Sequence, residues 1–203
     1  KGDDPVPPNN KAFFMLWEQN GRLESYGMED GPLPEHFEPF ETPVETNLLN
    51  GSLNSPCMKF ANNESTKHGS ASDYPIVATT YSVTEHWQTG GQSRACPALV
   101  EAMPSQFIEI SEELASEKGI ASGDMVRVWN NRGSVEVNAV VTKRIKPFTV
   151  HGNTQHLVGL THHFGWSDLF GTGDVVNDLT PNVGDPNSQT PEYKAFLVNI
   201  EKA

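Results

Sequence analysis

Phe107-Ile108-Glu109-Ile110 opens a stretch that runs through Ser111-Glu112-Glu113, Lys118-Gly119 and Met125-Val126-Arg127-Val128-Trp129 to Asn130-Asn131-Arg132-Gly133 and Ser134-Val135-Glu136-Val137-Asn138-Ala139-Val140-Val141. Phe107–Ile110 reads as a short strand. Ser111 then offers a helix N-cap hydroxyl, Glu112 and Glu113 stand where the helix dipole favours negative charge, Lys118 falls in the last turn, and Gly119 supplies the left-handed stop. A helix so bounded has only about two turns. Ile120 to Gly123 turn the chain into the strand Met125–Trp129, and Asn130–Gly133 carry hairpin-turn chemistry. Val135, Val137, Ala139 and Val141 alternate with Ser134, Glu136 and Asn138, the pattern of a half-buried strand.

The same texture extends outward. Pro75-Ile76-Val77-Ala78-Thr79-Thr80-Tyr81-Ser82-Val83, β-branched and bounded by turn residues, reads as a buried strand. Pro147-Phe148-Thr149-Val150 and Phe196-Leu197-Val198-Asn199-Ile200 add two more, the last near the end of the chain. Short strands around one small helix predict a mainly β fold with short helices, closed into a barrel rather than layered as an α/β sandwich.

Before Tyr74 the composition differs. Residues 51 to 73 are small and polar, as a connector is. Residues 1 to 50 hold ten acids against three bases and seven prolines. Gly31-Pro32-Leu33-Pro34-Glu35-His36-Phe37-Glu38-Pro39-Phe40-Glu41-Thr42-Pro43 cannot be helix interior, because each proline removes a backbone donor and drives its predecessor extended. Phe13, Phe14, Trp17, Phe37 and Phe40 make the segment too aromatic for a disordered linker. The reading is an acidic, Pro-rich strap over 1–73 that packs on a partner or on preceding domains, followed by a barrel domain over 74–203.

The 203 residues carry 14 Lys and Arg against 26 Asp and Glu, a formal charge of −12. Bulk electrostatics therefore exclude a nucleic-acid or anionic-membrane surface, and no apolar run reaches the roughly 18 residues of a membrane span. Cys57 and Cys96 are too few for an iron–sulfur cluster or a four-ligand zinc site; they could form a single disulfide, and two free or buried thiols are the simpler reading. The opening Lys1-Gly2-Asp3-Asp4, with neither initiator Met nor signal segment, suggests a processed or excised piece.

Nucleophile elbow, phosphate loop, dinucleotide glycine fingerprint and zinc-protease motif are all missing from the sequence. His151 and His156 flank what reads as a Gly-Asn-Thr-Gln turn. His156, His162 and His163 could be gathered around a metal, but neighbours in a strand point to opposite faces, which disfavours it. Two segments are more polar than a barrel requires. Thr80 to Arg94 leaves a strand dense in hydroxyls and amides and ends in glycines that let backbone amides approach a ligand. Asn177 to Lys194 is a long irregular stretch of the kind that is uncommon unless functional.

Glu85-His86-Trp87-Gln88-Thr89-Gly90, followed by Arg94, resembles the strand-exit motif in the C-terminal domain of the molybdopterin oxidoreductases, the dimethyl sulfoxide reductase family. Asn177 and Pro191-Glu192-Tyr193-Lys194 match that family's late Asn and its Pro-acidic-aromatic-Lys sequence. Residues 31–43 and 179–203 look like the catalytic α subunit of respiratory formate dehydrogenases within the family. The resemblance covers nearly the whole chain, most strongly from Tyr74 onward.

The resemblance implies a six-stranded double-psi β-barrel of the aspartate-decarboxylase-like kind, the last of four domains of a larger subunit. It implies a bis(molybdopterin guanine dinucleotide) cofactor with molybdenum or tungsten, bound here along Thr80, Tyr81, Ser82, Val83, Thr84, Glu85, His86, Trp87, Gln88 and Thr89, with Asn177, Tyr193 and Lys194 closing over it. His86 is expected to donate to the pterin edge, and Lys194 to place its ammonium near a pterin oxygen or a phosphate. Related enzymes often carry Arg where this chain has Ser82, so a cationic phosphate contact is either missing or supplied by Arg94. No catalytic residue and no metal ligand is assigned to this chain, and neither cysteine is expected at the metal. The metal's protein ligand, the catalytic His and Arg and the Fe–S cluster belong to the earlier domains, so the chain alone is expected to be inactive. Its implied partners are the remainder of the formate dehydrogenase catalytic subunit and an Fe–S electron-transfer subunit, in a periplasmic enzyme of anaerobic respiration, with the cytoplasm as the alternative. The equivalent domain of a nitrate, polysulfide or arsenate enzyme and a barrel used only for subunit contact remain as other readings.

Overall fold

The computed structural model describes residues 27–31, 36–44, 46, 47, 49, 51, 55, 67–165 and 173–203. Two compact units divide the chain at 35/36. The first contributes only the turn 27–31 to the described residues, with the Gly31 N–H donating to the Met28 carbonyl at 3.2 Å. Phe13, Phe14, Trp17, Cys57, Trp166 and part of the Pro-rich segment lie outside the described residues.

Seven strands follow in the second unit: β1 (Ile76–Tyr81), β2 (Phe107–Ser111), β3 (Met125–Trp129), β4 (Ser134–Thr142), β5 (Phe148–Val150), β6 (Asn153–Thr161) and β7 (Phe196–Lys202). They pair in the order β1-β7-β3-β4-β2-β6-β5, and a further β1–β6 pairing closes the first six of that order into a ring. The result is the closed six-stranded barrel expected from sequence. Two pairings are parallel, β1 with β6 and β2 with β4; the other ring pairings are antiparallel. The inward side chains form one core, in which Ile76, Ala78, Ile108, Ile110, Val126, Val128, Val135, Val137, Ala139, Val158, Leu160, Phe196, Val198 and Ile200 are buried. Each fully buried Val, Leu, Ile or Phe side chain there stabilises by about 1.5–3 kcal/mol.

Local rules operate where the sequence was explicit. Helix α2 (Glu112–Lys118) begins with the Ser111 hydroxyl accepting from the Leu114 N–H at 3.1 Å and ends on Gly119 at φ 66°, ψ 34°. The strand at 147–150, however, is not a ring member. It is the spur β5, and the ring's sixth strand is β6, whose Asn153-Thr154-Gln155 start falls in the Gly152–Gln155 stretch that reads like a turn. The turn itself is only His151-Gly152, at φ 49° and 80°, the positive pair that a two-residue hairpin needs. The polar start of β6 is paired with β5 rather than buried in the core, so its side chains carry no inward alternation. Helix α1 (Pro97–Ala102) was also not foreseen, although a proline at its first turn is a start signal.

One carboxylate ties the Pro-rich segment to the barrel. Glu41, with no side-chain exposure, accepts from Arg132 Nη1 at 2.5 Å and Nη2 at 2.8 Å, from the Gly69 N–H at 2.6 Å and from the Leu197 N–H at 2.8 Å. Arg132 also donates through Nε and Nη2 to the Leu179 carbonyl and through Nη1 to the Lys67 carbonyl. A buried pair so completely hydrogen-bonded escapes most of the desolvation penalty, but losing one partner strands a buried charge. Glu41→Ala is therefore expected to lower unfolding stability by about 3–5 kcal/mol. Adding Arg132→Met should recover part of that loss in denaturant titrations; strictly additive losses would contradict the pairing.

Candidate functional site

Parallel pairing of β1 with β6 brings their C-terminal ends to the same end of the barrel, with Tyr81 opposite Thr161. β7 runs antiparallel to β1 with Ala78 opposite Phe196, so its N-terminal approach lies at that end too. Continuing this register by two residues sets Lys194 against Thr80. Three polar segments distant in sequence, the exits of β1 and β6 and the approach to β7, thus converge because of strand direction alone.

The Lys194 ammonium donates to the Thr80 carbonyl at 2.7 Å and to Thr80 Oγ1 at 3.1 Å, and Oγ1 donates in turn to the Tyr193 carbonyl at 3.1 Å. Partial burial lowers the Lys194 pKa from its ordinary value. Thr80 is buried, and its hydroxyl is spent on orienting Lys194. Tyr81 faces the other way: its ring lies where a Cβ on Gly159 would come within 2.7 Å, beside Phe107, Glu109 and Arg144. Burial, followed by the Glu109 carboxylate, pushes the Tyr81 phenol pKa well up. What Tyr81 gives this end of the barrel is its carbonyl, which accepts from His162 Nδ1 at 3.0 Å.

The loop leaving β1 is held from below by His163, which is fully buried. Its Nε2 accepts from the Val83 N–H at 2.9 Å and its Nδ1 donates to the Gln88 carbonyl at 2.5 Å. A ring that accepts at one nitrogen and donates at the other must be neutral, and burial lowers its pKa accordingly. Gln88, at φ 46°, and Gly90, at φ 85°, turn the chain back. A Cβ on Gly90 would stand 2.0 Å from the His163 carbonyl, so this glycine serves the fit of loop to loop rather than the close ligand approach read from sequence. His86, expected at the pterin edge, is buried; its Nε2 donates to the Met103 carbonyl at 2.8 Å and its Nδ1 meets Ser93 Oγ at 3.2 Å. Both nitrogens are engaged within the chain, so His86 braces the loop. Trp87 beside it is 63% exposed, and Ser82, Thr84, Gln88 and Thr89 are exposed as well, with Glu85 intermediate.

Arg94 is buried, its guanidinium 4.9 Å from the centre of the Phe164 ring, and its terminal nitrogens find no hydrogen-bond partner among the described residues. Burial lowers its pKa, and the cation–π contact offsets part of the cost of desolvation. Those nitrogens are sealed from solvent, so the arrangement does not present Arg94 to a phosphate. Phe164 also walls a cavity of about 280 Å³, together with Thr89, His162, Gly165, Val175, Val176 and Asn177. Asn177 stands on a 3-10 turn (Val176–Leu179) whose buried Val176 and Leu179 anchor it in the core. The irregular stretch beyond is ordered by Asp185, whose carboxylate accepts from the Ser188 N–H, the Ser188 hydroxyl and the Asn187 N–H, which lower its pKa.

The cavity therefore unites Thr89 and Asn177, one from each polar segment singled out in the sequence, and Thr80 meets Lys194 beside it. Of the two histidines weighed in the sequence only as metal ligands, His162 lines the cavity and His163 holds the loop. His156, the third histidine considered for a metal, pairs instead with Glu117 at 3.1 Å. Among the described residues no group of three His, Cys, Asp or Glu side chains is placed to hold a metal ion.

Comparison with known proteins agrees with this architecture. A family model described as "Molydopterin dinucleotide binding domain" matches residues 76–197. The chain belongs to the molybdopterin dinucleotide-binding domain family. It is 46% identical over 208 residues to the formate dehydrogenase subunit alpha of Megalodesulfovibrio gigas, covering 99% of this chain and 20% of that protein. It is 47% identical over 193 residues to the nitrate-inducible formate dehydrogenase major subunit of Escherichia coli K12, covering 94% of this chain and 19% of that one. Identity to a nitrate reductase of Symbiobacterium thermophilum is 27% over the full chain, 21% of that protein. The chain thus spans about a fifth of the length of these relatives. Acetylene hydratase from Pelobacter acetylenicus shares the fold, with a TM-score of 0.56 at 14% identity over 85% of this chain and 21% of that one. Among the described residues no helix is long and apolar enough to cross a membrane.

The residues present suit a molybdopterin dinucleotide, whose rings and ribose offer donors and acceptors in fixed planes. Hydroxyl, amide, imidazole and ammonium groups line or border a cavity with room for one heteroaromatic ring system. The loop that presents them depends on neutral His163. Stability contributed by its neutral ring is fully present above about pH 6.5, the unfolded-state value, and is lost as pH falls from there through the lowered folded pKa. Denaturant midpoints at pH 7.5 and 5.5 should separate, and the separation should shrink in His163→Leu. At pH 7.5 that variant should itself lose about 2–4 kcal/mol, because the Val83 and Gln88 groups are left unpaired; an unchanged pH dependence would exclude His163 as its source.

Proposed function

We propose that this chain clamps a bis(molybdopterin guanine dinucleotide) cofactor as the C-terminal part of a formate dehydrogenase catalytic subunit. The meeting of Thr89 with Asn177 across one cavity, beside the Thr80–Lys194 pair, carries the reading. Lys194 spends two ammonium protons on Thr80 and keeps a third for an oxygen of the ligand. Asn177 and the exposed side chains of Ser82, Thr84 and Gln88 supply neutral donors and acceptors, with Trp87 as an exposed ring. The specificity comes from fixed hydrogen-bond geometry, in a chain whose net charge repels anions.

The identities of 46% and 47% to two formate dehydrogenase subunits, against 27% to a nitrate reductase, favour formate as the substrate of the whole enzyme. When bound, the group supplies two-electron redox chemistry at molybdenum or tungsten. This chain's part is to bind and orient it. On this reading the remaining domains carry the metal's protein ligand and an Fe–S cluster, electrons leave through an Fe–S subunit, and the enzyme works in the periplasm.

Full-length holoenzyme carrying Lys194→Ala and Asn177→Ala tests the clamp. Each lost charge-assisted or amide bond is worth about 1–3 kcal/mol, so the double variant should retain less than about a tenth of the guanylyl pterin that gel-filtered wild type holds. Undiminished cofactor content would remove these residues from the site. A substrate panel on the wild-type enzyme, with nitrate turned over in place of formate, would overturn the assignment of substrate.

A further inference from the structure

The cavity is not lined as a phosphate site. His162 donates through Nδ1 to the Tyr81 carbonyl at 3.0 Å, and a carbonyl can only accept, so this nitrogen carries the ring proton. The opposite nitrogen, Nε2, has no hydrogen-bond partner among the described residues, and the ring lines the cavity with Asn177, Thr89 and Phe164. Burial and the nearby Lys194 ammonium both lower the His162 pKa, so Nε2 is a lone-pair acceptor at neutral pH. Packing against His163, with ring centroids 4.4 Å apart at 31°, fixes the direction of that lone pair.

A phosphate offers oxygens that accept, and a fixed acceptor facing it would repel it. A ligand rich in N–H groups is what this acceptor suits. Beside it stand the opposite functions: Lys194 retains one ammonium proton after its two bonds to Thr80, and the Asn177 amide can both donate and accept. An acceptor next to a donor complements a ring edge in which N–H adjoins C=O.

We propose that His162 Nε2 accepts a hydrogen bond from the N–H of a 2-amino-4-oxo-pyrimidine edge, making this cavity a ring-recognition pocket rather than a phosphate seat. This rests on the cofactor-clamping function above and deepens it. Guanine and pterin share that edge, and the two sources are separable by experiment.

Two substitutions divide the ring's functions. His162→Asn keeps a donor near the Nδ1 position for the Tyr81 carbonyl but has nothing at Nε2, whereas His162→Gln reaches the Nε2 position with its amide. In full-length holoenzyme, cofactor release into excess buffer is followed by the fluorescence of the freed, oxidised pterin and by its guanine nucleotide content. His162→Asn should release cofactor about tenfold faster than wild type, the effect of one lost hydrogen bond, and His162→Gln should stay within about threefold. A purely structural His162 predicts the reverse order, since Asn preserves the bond to Tyr81; that order, or wild-type release from both variants, overturns the proposal. Loading apoenzyme with nucleotide-free pterin identifies the ring. A defect of His162→Asn that persists there places the edge on pterin, and one seen only with the guanylyl form places it on guanine. Wild-type holoenzyme without any guanylyl pterin would instead overturn the clamping function itself.

Discussion

The parallel pairing of β1 with β6 is the constraint on which the rest depends. It closes the ring, and because the two strands run the same way it delivers both of their C-terminal ends to one end of the barrel. Had the pairing been antiparallel, His162 and His163 would emerge at the opposite end from Ser82 to Arg94. The register of β7 adds the third arm, so that Lys194 meets Thr80 across more than a hundred residues of chain. A barrel core of aliphatic side chains makes these directions rigid, since slipping any strand by one residue would turn its inward set outward.

Buried polar groups then do what the core cannot. Aliphatic packing is non-directional, so it does not specify where a surface loop sits. His163, His86 and Glu41 do, because each is buried with its hydrogen-bonding capacity met by partners from distant segments. A buried polar group whose partner moves away loses more than the bond was worth. That asymmetry gives the loops a definite conformation around the cavity. Arg94 is the exception, a buried cation whose described neighbour is an aromatic face.

Much of the fold was legible residue by residue. Ser111, the two glutamates after it and Gly119 bounded α2 correctly, because capping is a local interaction between a side chain and the next turn. The alternation of β4 survived intact, since one face of a strand must meet the core. The start of β6 was misread because its first three residues lie on the β5 spur, where no alternation is imposed. At the site, motif spacing picked out segments that the fold brings to one end of the barrel, but not the facing of individual side chains. Tyr81 and His86 turned inward or away, and His162 and His163 went without a role, because period-2 geometry and burial are decided by what packs behind the loop.

By itself the sequence determined a mainly β chain, one short capped helix, an acidic Pro-rich lead-in and two polar segments of unusual density, all of which follow from propensities and patterns that act within a few residues. It also carried the family resemblance, because the order and spacing of polar motifs survive without coordinates. Only the tertiary structure decided which polar groups are spent inside the protein and which line the cavity. Thr80, His86 and His163 are consumed by contacts to residues 7 to 114 positions away, while His162 and Asn177 line one cavity and Lys194 stands at its border. Hydrogen-bonding capacity is a property of an atom's three-dimensional surroundings, and strand direction and register, not residue type, set those surroundings.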